Sequence, residues 1–369
     1  MKIPLCIPDM GKEELSAIED VLKSGWLAHG PKNKEFEESF ASYIGVKHAV
    51  SLNSCTSALQ LSLQVKNITG EVILPSFTFV ASANAIITAG AKPKFVDIEY
   101  DTCNIDPSKI EDAISDKTEA IMPVHYAGQS CDMDAIMKIA KKHNLLVIED
   151  SAETLGGTFK KKKTGSFGIG CFSFYPTKNI TTGEGGMLTT DDDEINEKVK
   201  AMRAHGIKST TFERESKDRP WFRAAEYAGY NYRFCDILAA IGIIQMKKLD
   251  KMNEKRIENS KYLNKGLECI NEIEIPTEKK ECKHVYQMYT IKLNEKISRT
   301  KFIMKLRERG IGASVHFYPP VHRHPYYKKF VHSDLKTTDK ISNTIVTLPM
   351  YPQIKKEELD FIIKSVKDQ

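Results

Sequence analysis

Short apolar runs alternate with helix-like segments between residues 48 and 150, and this alternation limits the folds that the chain can adopt. The runs are continuously apolar, as in strands that are buried on both faces, whereas the segments between them carry apolar residues at helical spacing. This order predicts a mostly parallel sheet with helices on both faces. The predicted strands are 48–53, 71–75, 92–98, 119–125 and 145–150, and the predicted helices between them are 54–64, 79–90, 107–115 and 133–144.

The pattern changes after residue 165, where SFGIGCFSFYPTKN and GGMLTTDD predict two further strands joined by a glycine-rich turn. These strands would complete a seven-stranded sheet. The change in pattern predicts an approximate domain boundary near 246–250, with a large domain of residues 1–245 and a smaller α+β domain of residues 246–369. The N-terminal helix is predicted to pack on the small domain. The other predicted elements are helices at 11–24, 34–44, 193–204, 234–265, 299–310 and 356–367, and a strand at 284–293.

Charge and cysteine usage exclude several classes of protein. A net charge of +5 over 369 residues is too weak to indicate nucleic acid or an acidic membrane as a partner. The eight cysteines include no Cys-x-x-Cys pair, which favours reduced thiols. No N-terminal segment resembles a signal peptide, and no apolar stretch approaches the roughly 18 residues of a membrane span. A cytoplasmic protein is therefore expected.

Lys178 is the first candidate for chemistry, because it lies between an apolar strand and a run of small and glycine residues. A lysine in a solvated turn is the more common explanation for such a residue. However, a loop that leaves a buried parallel sheet is where α/β proteins bind ligands. A desolvated lysine there has a lowered pKa and can bond to an aldehyde.

Asp150 ends the apolar strand LLVIED and would project into the same crevice. Taken alone, it could equally be a helix cap or a salt-bridge partner. Together with Lys178, it fits the needs of pyridoxal phosphate, which takes a lysine at its aldehyde and a carboxylate at its pyridine nitrogen.

Hydroxyls and an aromatic residue lie where the rest of such a cofactor would bind. Ser54, Cys55 and Thr56 begin the helix after strand 48–53, and a helix N-terminus can bind a phosphate. Ser54 could also be an ordinary N-cap. Ser173 is a second hydroxyl candidate for the phosphate, and Phe79 is a candidate platform for the ring, although an aromatic residue at that position is more often part of a core.

Nine segments, in the same order, make the chain resemble the DegT/DnrJ/EryC1/StrS aminotransferases, which are fold-type I pyridoxal phosphate enzymes. The segments are SGWLAHGPKNKEFEESFASYIG (24–45), NSCTSALQLSL (53–63), LPSFTFVASANAI (74–86), VHYAGQSCDMDAI (124–136), VIEDSAETLGG (147–157), GSFGIGCFSFYPTKNITTGEGGM (165–187), GYNYRFCDILAAIG (229–242), GIGASVHFYPPVHRHPYY (310–327) and LPMYP (348–352). The resemblance implies the fold-type I architecture over nearly the whole chain.

The resemblance also implies roles for matching positions. Lys178 is the lysine that bonds to the cofactor and shuttles protons, and Asp150 pairs with the pyridine nitrogen. Phe79 stacks on the ring, and Glu153 lies near the ring hydroxyl, in a slot that the family often fills with Gln or His. The residues implied at the phosphate, beside the candidate Ser54, are Cys55, Thr56, Ser173 and, from the neighbouring subunit of a homodimer with shared active sites, Asn231.

The activity implied is the transfer of an amino group, through pyridoxamine phosphate, from glutamate to a nucleotide-linked keto-sugar. C4 of a 4-keto-6-deoxyhexose is the favoured acceptor, in the synthesis of surface polysaccharide or glycan. A C3-aminating enzyme, a pyridoxal phosphate-dependent sugar dehydratase and a non-catalytic regulator of the same fold are the alternatives. Lys178 argues against the dehydratases, because some of those relatives have a histidine at this position. UDP, dTDP and GDP remain open as the nucleotide.

Four further residues are expected near the substrate. The resemblance implies that His316 and His322 lie near the sugar, and Trp26 and Glu184 are also predicted to face the substrate. The histidines in HFYPPVHRH lie on no predictable helix face, so no metal site is expected. GSFGIG precedes a strand instead of following one, which argues against a dinucleotide fingerprint. The basic run 160–163 lies between two strand-like segments and predicts a solvated hairpin tip.

Overall fold

The computed structural model of the chain describes residues 1–209 and 221–369. The helices of the described part are numbered here in chain order, and none of them is both long enough and apolar enough to cross a membrane. They are Lys12–Ser24 (α1), Pro31–Ile44 (α2), Cys55–Val65 (α3), Val80–Ala89 (α4), Pro107–Ala113 (α5), Met133–His143 (α6), Asp193–Met202 (α7), Asp236–Leu267 (α8), Arg299–Glu308 (α9), Lys336–Thr344 (α10) and Lys356–Lys367 (α11).

The strands of the described part are also numbered in chain order. They are His48–Leu52 (β1), Glu71–Pro75 (β2), Lys92–Val96 (β3), Thr118–Ile121 (β4), Leu146–Asp150 (β5), Thr158–Phe159 (β6), Lys162–Lys163 (β7), Ile169–Ser173 (β8), Gly186–Thr190 (β9), Ile273–Glu274 (β10), Cys282–Lys283 (β11), Tyr289–Leu293 (β12) and Ile345–Leu348 (β13).

Seven strands form the main sheet, in the order β1-β9-β8-β5-β4-β2-β3. The pairs β8–β5, β5–β4, β4–β2 and β2–β3 are parallel, whereas β9 runs antiparallel to both β1 and β8. The prediction of a mostly parallel seven-stranded sheet between helices is therefore confirmed.

The continuous apolar runs are strands with both faces covered. In β2 and in β5, four of the five residues are buried. Helix α3 buries eight of its eleven residues, because it lies between the sheet and helices α4 and α7. A helix that is apolar on most sides is stable only in such a position, so the composition of α3 follows from its place in the fold.

The carboxyl ends of the central strands meet at one edge of the sheet. Asp150 ends β5 and is in register with Cys171 of the parallel strand β8, which ends at Ser173. The chain that leaves β2 reaches Phe79, the residue before α4. In open α/β sheets this edge is where ligands bind, and the predicted cofactor residues therefore converge there.

A three-stranded antiparallel sheet, β10-β12-β13, forms a second core near the C-terminus. This core includes Ile3 from the N-terminal segment and Leu263 from the end of α8, while Met246 near the middle of α8 belongs to a core beside the main sheet. The predicted boundary near 246–250 thus falls inside one continuous helix. Helix α1 packs along α8, where Glu14 accepts hydrogen bonds from Lys248 at 2.8 and 3.0 Å.

Helix α10 and strand β13 were not predicted. The sequence of α10, KTTDKISNT, contains a single large apolar residue, Ile341, which is too few to form a recognisable apolar stripe. Its N-terminus is held by Asp97, which accepts hydrogen bonds from the backbone N–H groups of Thr337 and Thr338 at 2.9 and 2.8 Å. Because this capping residue follows strand β3, no local signal in the sequence marks the helix.

The basic run 160–163 forms the predicted hairpin. Strands β6 and β7 pair antiparallel, and Lys160 and Lys161 form the exposed turn with φ angles of 48° and 69°. The ammonium group of Lys160 forms an ion pair with exposed Asp134. Such pairs between exposed side chains contribute little to stability. Residues 160–162 form a solvated tip, whereas Lys163 is half-buried with its ammonium group over the ring of Tyr43.

Candidate active site

A cavity of about 600 Å³ opens at the carboxyl edge of the main sheet. It brings together most of the residues predicted from the sequence, although they come from distant parts of the chain. The predicted residues that line it are Ser54, Cys55, Thr56, Phe79, Asp150, Glu153, Ser173, Lys178, Glu184 and His316.

Lys178 lies on the loop between β8 and β9 and points into the cavity. Its side chain is only 17% exposed, and its Nζ lies 3.3 Å from Oε1 of Glu153. The loop is anchored from the C-terminal part of the chain. Gln287 Nε2 donates to the carbonyl of Thr177 at 2.7 Å, and Asn179 Nδ2 donates to Asn253 of α8 at 2.8 Å. The amine is therefore held in a defined place instead of extending into solvent.

Asp150 is 5% exposed. Its Oδ2 accepts a hydrogen bond from the Ser82 hydroxyl at 2.7 Å, and its Oδ1 accepts one from the backbone N–H of Ala152 at 3.2 Å. Burial raises the pKa of this carboxyl group, and the two hydrogen bonds and the charge of Lys178 oppose the rise. A carboxylate that is buried at the wall of a cavity can bind a protonated ring nitrogen. The positive charge of that nitrogen would balance the negative charge of Asp150.

Glu149, the neighbour of Asp150 in β5, points to the other face of the sheet and is fully buried. Its carboxylate accepts from the backbone N–H groups of Gly165, Phe167 and Gly168 at 2.8, 2.7 and 3.0 Å. Burial raises its pKa, but these bonds and His125 outweigh burial and lower it overall. Glu149 thus anchors the loop before β8. The sequence analysis missed it, and alternation along β5 could have shown that Glu149 and Asp150 face opposite sides.

The start of helix α3 forms one wall of the cavity. Ser54 is the N-cap, since its Oγ accepts from the backbone N–H of Ser57 at 3.1 Å. Burial and the charge of Asp150 raise the pKa of Cys55 well above its usual value. Cys55 therefore stays a thiol at neutral pH and lines the cavity.

Gly186, the first residue of β9, lets the sheet approach this helix. A Cβ atom on Gly186 would lie 2.3 Å from the carbonyl carbon of Ser54 and 2.4 Å from the backbone nitrogen of Cys55. These are backbone atoms, which cannot move away from the new Cβ atom as the end of a flexible side chain can. The sequence analysis did not single out this glycine, although it lies in the GEGG run that follows Lys178.

Replacing Gly186 by alanine is expected to lower the free energy of unfolding by about 1–3 kcal/mol, the usual cost of overpacking, and to displace the N-terminus of α3. Thermal unfolding measures the first effect, and titration with pyridoxal phosphate measures the second, with an expected loss of affinity of about tenfold. Gly11→Ala is the control for affinity, because the nearest neighbour of its new Cβ would be Glu14 Oε2 at 3.8 Å. Equal affinity for pyridoxal phosphate in the two variants would contradict this role of Gly186.

Phe79 lines the cavity with a large exposed surface. It is the N-cap residue of α4, and 61% of its surface is exposed. Its ring centroid lies 6.1 Å from that of Phe317, with the planes tilted by 41°. A phenyl ring that faces an open cavity is available for stacking on a planar ligand, and Phe79 is therefore not an ordinary core residue.

Three predicted residues do not line this cavity. His322 is buried elsewhere, with Nδ1 2.7 Å from the Ser76 hydroxyl and Nε2 3.1 Å from Asp339. Trp26 lines a second cavity, of about 1260 Å³, and Asn231 is exposed beside Ala204. The structure of one chain does not bring these three to Lys178, and their roles stay predictions.

The residues around the cavity fit pyridoxal phosphate. A buried carboxylate, an amine, an aromatic face and a helix N-terminus with hydroxyl groups beside it are the groups that this cofactor requires. Within residues 1–209 and 221–369, no cluster of three or more His, Cys, Asp or Glu side chains could hold a metal ion. Contacts to the sugar and its nucleotide are also expected in loops such as 207–228, and residues 210–220 of that loop lie outside the described residues.

The chain is similar to known aminotransferases along nearly its whole length. The model of the DegT/DnrJ/EryC1/StrS aminotransferase family matches residues 8–367. The chain is 41% identical to the spore coat polysaccharide biosynthesis protein SpsC of Bacillus subtilis, over 99% of this chain and 96% of that protein. It is 36% identical to the UDP-4-amino-4-deoxy-L-arabinose–oxoglutarate aminotransferase of Shewanella sediminis, over 99% of this chain and 97% of that protein. The pyridoxal phosphate form of Spr1654 from Streptococcus pneumoniae superposes with a TM-score of 0.92 at 29% identity, covering 100% of this chain and 98% of that one.

Proposed function

The chain belongs to the DegT/DnrJ/EryC1/StrS aminotransferase family, a family of pyridoxal phosphate-dependent sugar aminotransferases, and from this premise we propose its reaction. The protein moves an amino group from glutamate to a nucleotide-linked keto-sugar, at C4 of a 4-keto-6-deoxyhexose, in the synthesis of surface polysaccharide or glycan. The observation that carries the proposal is the placement of Lys178, Asp150 and Glu153 around one cavity that also contains an exposed aromatic ring and a helix N-terminus.

Pyridoxal phosphate, when bound, supplies the electron sink that makes a proton on the neighbouring substrate carbon acidic. The residues that would hold it are those of the cavity. Asp150 would pair with the ring nitrogen, Phe79 would cover one face of the ring, and Lys178 would bond to the aldehyde. Ser54, Cys55, Thr56 and Ser173 would hold the phosphate.

The chain's own contribution is position, charge and proton transfer. Lys178 Nζ lies at the wall of the cavity, where it can give a proton to, or take one from, a substrate carbon held above the ring. Ser82 and Ala152 hold the two oxygens of Asp150 at the cavity wall, where its negative charge would pair with a protonated ring nitrogen. Phe79 would limit the motion of a bound ring and exclude water from one side of it.

We propose further that two copies of the chain form the working unit. Asn231 is exposed on the surface of its own subunit, and Trp26 lines a cavity that is separate from the Lys178 cavity. In a homodimer with shared active sites, Asn231 would reach the phosphate of the neighbouring subunit, and Trp26, Glu184 and His316 would be placed around the sugar.

Two observations favour amine transfer at C4 over the alternative functions. Lys178 with its buried partners supports amine transfer over dehydration and over a regulator without catalysis, because neither alternative requires the lysine. The name of the Shewanella relative specifies a 4-amino sugar, which supports amination at C4 over C3.

The proposal is tested with the pyridoxamine phosphate form of the full-length protein and a panel of UDP-, dTDP- and GDP-linked keto-sugars. The expected result is a product in which one ketone oxygen is replaced by an amino group, as measured by mass spectrometry, with the position of the new amine assigned by NMR. An amine at C3 would favour the first alternative. A product that has lost water without gaining nitrogen would favour a dehydratase, and no product from any sugar would contradict the proposal.

A further inference from the structure

The charges that line the Lys178 cavity do not match the charges of the proposed reactants. Among the described residues at its wall, Lys178 is the only lysine or arginine. Three carboxylates line the same wall, those of Asp150, Glu153 and Glu184. Burial lowers the pKa of His316, which is therefore uncharged at neutral pH. The cofactor phosphate, the carboxylates of glutamate and the diphosphate of a nucleotide-linked sugar are all anions. The N-terminus of α3 can bind one of them, so the others require a cation from outside this cavity wall.

A candidate for this cation lies in the extended segment 229–233, which contains an antiparallel β-bridge at Asn231. The rings of Tyr230 and Tyr232 lie on one side of the segment, stacked with their centroids 4.6 Å apart and their planes 1° apart. Successive side chains of an extended chain point to opposite sides. Asn231, which is exposed, and Arg233, which is half-buried, therefore lie together on the other side.

The segment is fixed to helix α3 of its own subunit. Gln64 Nε2 donates to the hydroxyl of Tyr230 at 2.7 Å, and the hydroxyl of Tyr232 donates to Gln60 at 3.0 Å. The backbone N–H of Asn53 donates to the carbonyl of Tyr232 at 3.0 Å. The two side chains on the outer side of the segment therefore start from a backbone that has a defined position relative to α3.

Arg233 carries a positive charge that its own subunit leaves unpaired. Within residues 1–209 and 221–369, its guanidinium forms no ion pair and no hydrogen bond. It lines the second cavity, the one that also contains Trp26. Arg203, whose backbone lies beside the same segment, is buried and donates to Glu37 at 2.5 Å and to His29 Nε2 at 2.9 Å. Arg203 thus belongs to the packing of the fold, whereas Arg233 is available to bind an anion.

We propose that Arg233 is the cation that each subunit supplies to the active site of its neighbour, where its guanidinium binds an oxyanion of a reactant. The inference rests on the proposed function and its shared-site homodimer, in which Asn231 reaches the phosphate of the neighbouring subunit. Arg233 leaves the same side of the same segment about 6–7 Å further along, so it would lie beside that phosphate. A planar guanidinium suits both a carboxylate of the amino donor and the diphosphate of the acceptor, and the tests separate these two groups.

The first test measures binding without turnover, in full-length protein loaded with pyridoxal phosphate. Glutarate, which has the two carboxylates of glutamate but no amino group, represents the donor, and inorganic pyrophosphate represents the diphosphate. In calorimetry, Arg233→Gln is expected to bind one of these probes about tenfold more weakly, because a charge-assisted hydrogen bond is lost. The affected probe identifies the group that Arg233 binds. Arg309→Gln, which changes an exposed arginine just after α9, should leave both affinities unchanged.

Two further measurements show whether the effect belongs to the reactant. Arg233→Lys keeps the charge without the planar fork of donors, so it should recover part of the lost affinity. It also serves if the glutamine variant fails to fold, which thermal unfolding would reveal. Titration with pyridoxal phosphate should give the wild-type affinity in both variants. Weaker binding of the cofactor with unchanged binding of both probes would contradict the inference, since Arg233 would then serve the cofactor phosphate.

The second test shows which site Arg233 serves. Mixed dimers of an Arg233→Gln subunit and a Lys178→Ala subunit, each with its own affinity tag, are isolated after co-expression. The site that keeps Lys178 receives Arg233 from the other subunit. For the reactant that the first test identifies, the concentration at half of the maximal rate should therefore be that of the wild type. In the Arg233→Gln homodimer this concentration should rise about tenfold.

Absent binding of both probes to the wild type, or unchanged binding of both to Arg233→Gln, would overturn the inference. A mixed dimer with the weakened affinity of the Arg233→Gln homodimer would also overturn it, because Arg233 would then act within its own subunit. A monomeric wild-type protein would have the same consequence. If the wild-type dimer aminates no keto-sugar, the proposed function fails, but the probe affinities still report on Arg233. The two failures are therefore distinguishable.

Discussion

Replacing Lys178 by alanine is expected to abolish amine transfer, with a loss of at least about 10³-fold in turnover, because the variant lacks both the group that bonds to the cofactor and the group that moves the proton. The visible absorbance band of the loaded protein should disappear as well. The rate is measured as the appearance of aminated sugar, and the band is measured after dialysis against pyridoxal phosphate.

The control for this variant is Lys247→Ala, which removes an exposed lysine from α8 and should keep both the rate and the band. Alanine at 178 leaves the buried Glu153 carboxylate without its partner, so a moderate loss of stability is expected in addition. The variant must therefore be assayed below its own unfolding temperature. Full activity in folded Lys178→Ala would show that the lysine is not at the reacting centre.

Replacing Asp150 by asparagine is expected to lower turnover by about 10²–10³-fold while the protein stays folded. Asparagine has nearly the same shape and can still accept a hydrogen bond from Ser82, but it carries no charge to keep a ring nitrogen protonated. The absorbance spectrum of the loaded variant should shift, which a merely structural defect would not produce. Asp116→Asn, at an exposed position, is the control.

Stability should move in the opposite direction to activity in this variant. Burial raises the pKa of Asp150, so the folded state holds the proton more tightly than the unfolded state does. The stability contributed by this group is then complete at acid pH and is lost as the pH rises through the folded pKa. At neutral pH the buried charge has a cost, and Asp150→Asn without cofactor should unfold at an equal or higher temperature than the wild type. A large drop in unfolding temperature would contradict the assigned burial.

Much of the main sheet could be predicted from the chain, because a strand that is buried on both faces has to be apolar along its length. LLVIED and EVILP show this in a few residues. The antiparallel direction of β9 could not be predicted in this way, since a run such as GMLTT has the same pattern in either direction. Helix α10 was missed because Asp97, which caps it, lies about 240 residues earlier in the chain.

The same distinction, between local sequence signals and contacts made only in the folded chain, applies to the residues of the candidate site. Lys178 and Asp150 could be predicted because each carries a charge at the end of an apolar run, and a charge there is unusual. The partners that set their properties left no such signal. Ser82, Ala127 and Gln287 act through a hydroxyl, a backbone N–H and an amide, and they meet the charged residues only in the folded chain. Glu153 could be read as a cofactor residue, but its contact with Lys178 required the structure.

The path of the nitrogen atom tests the central claim most directly. The full-length protein, loaded with pyridoxal phosphate, is given glutamate labelled with a heavy isotope of nitrogen and the keto-sugar that the panel selects. The account predicts that the label appears in the amino group of the sugar in the wild type and in no product of Lys178→Ala. Unlabelled aminated sugar, or a labelled product formed equally well by the Lys178→Ala variant, would contradict it.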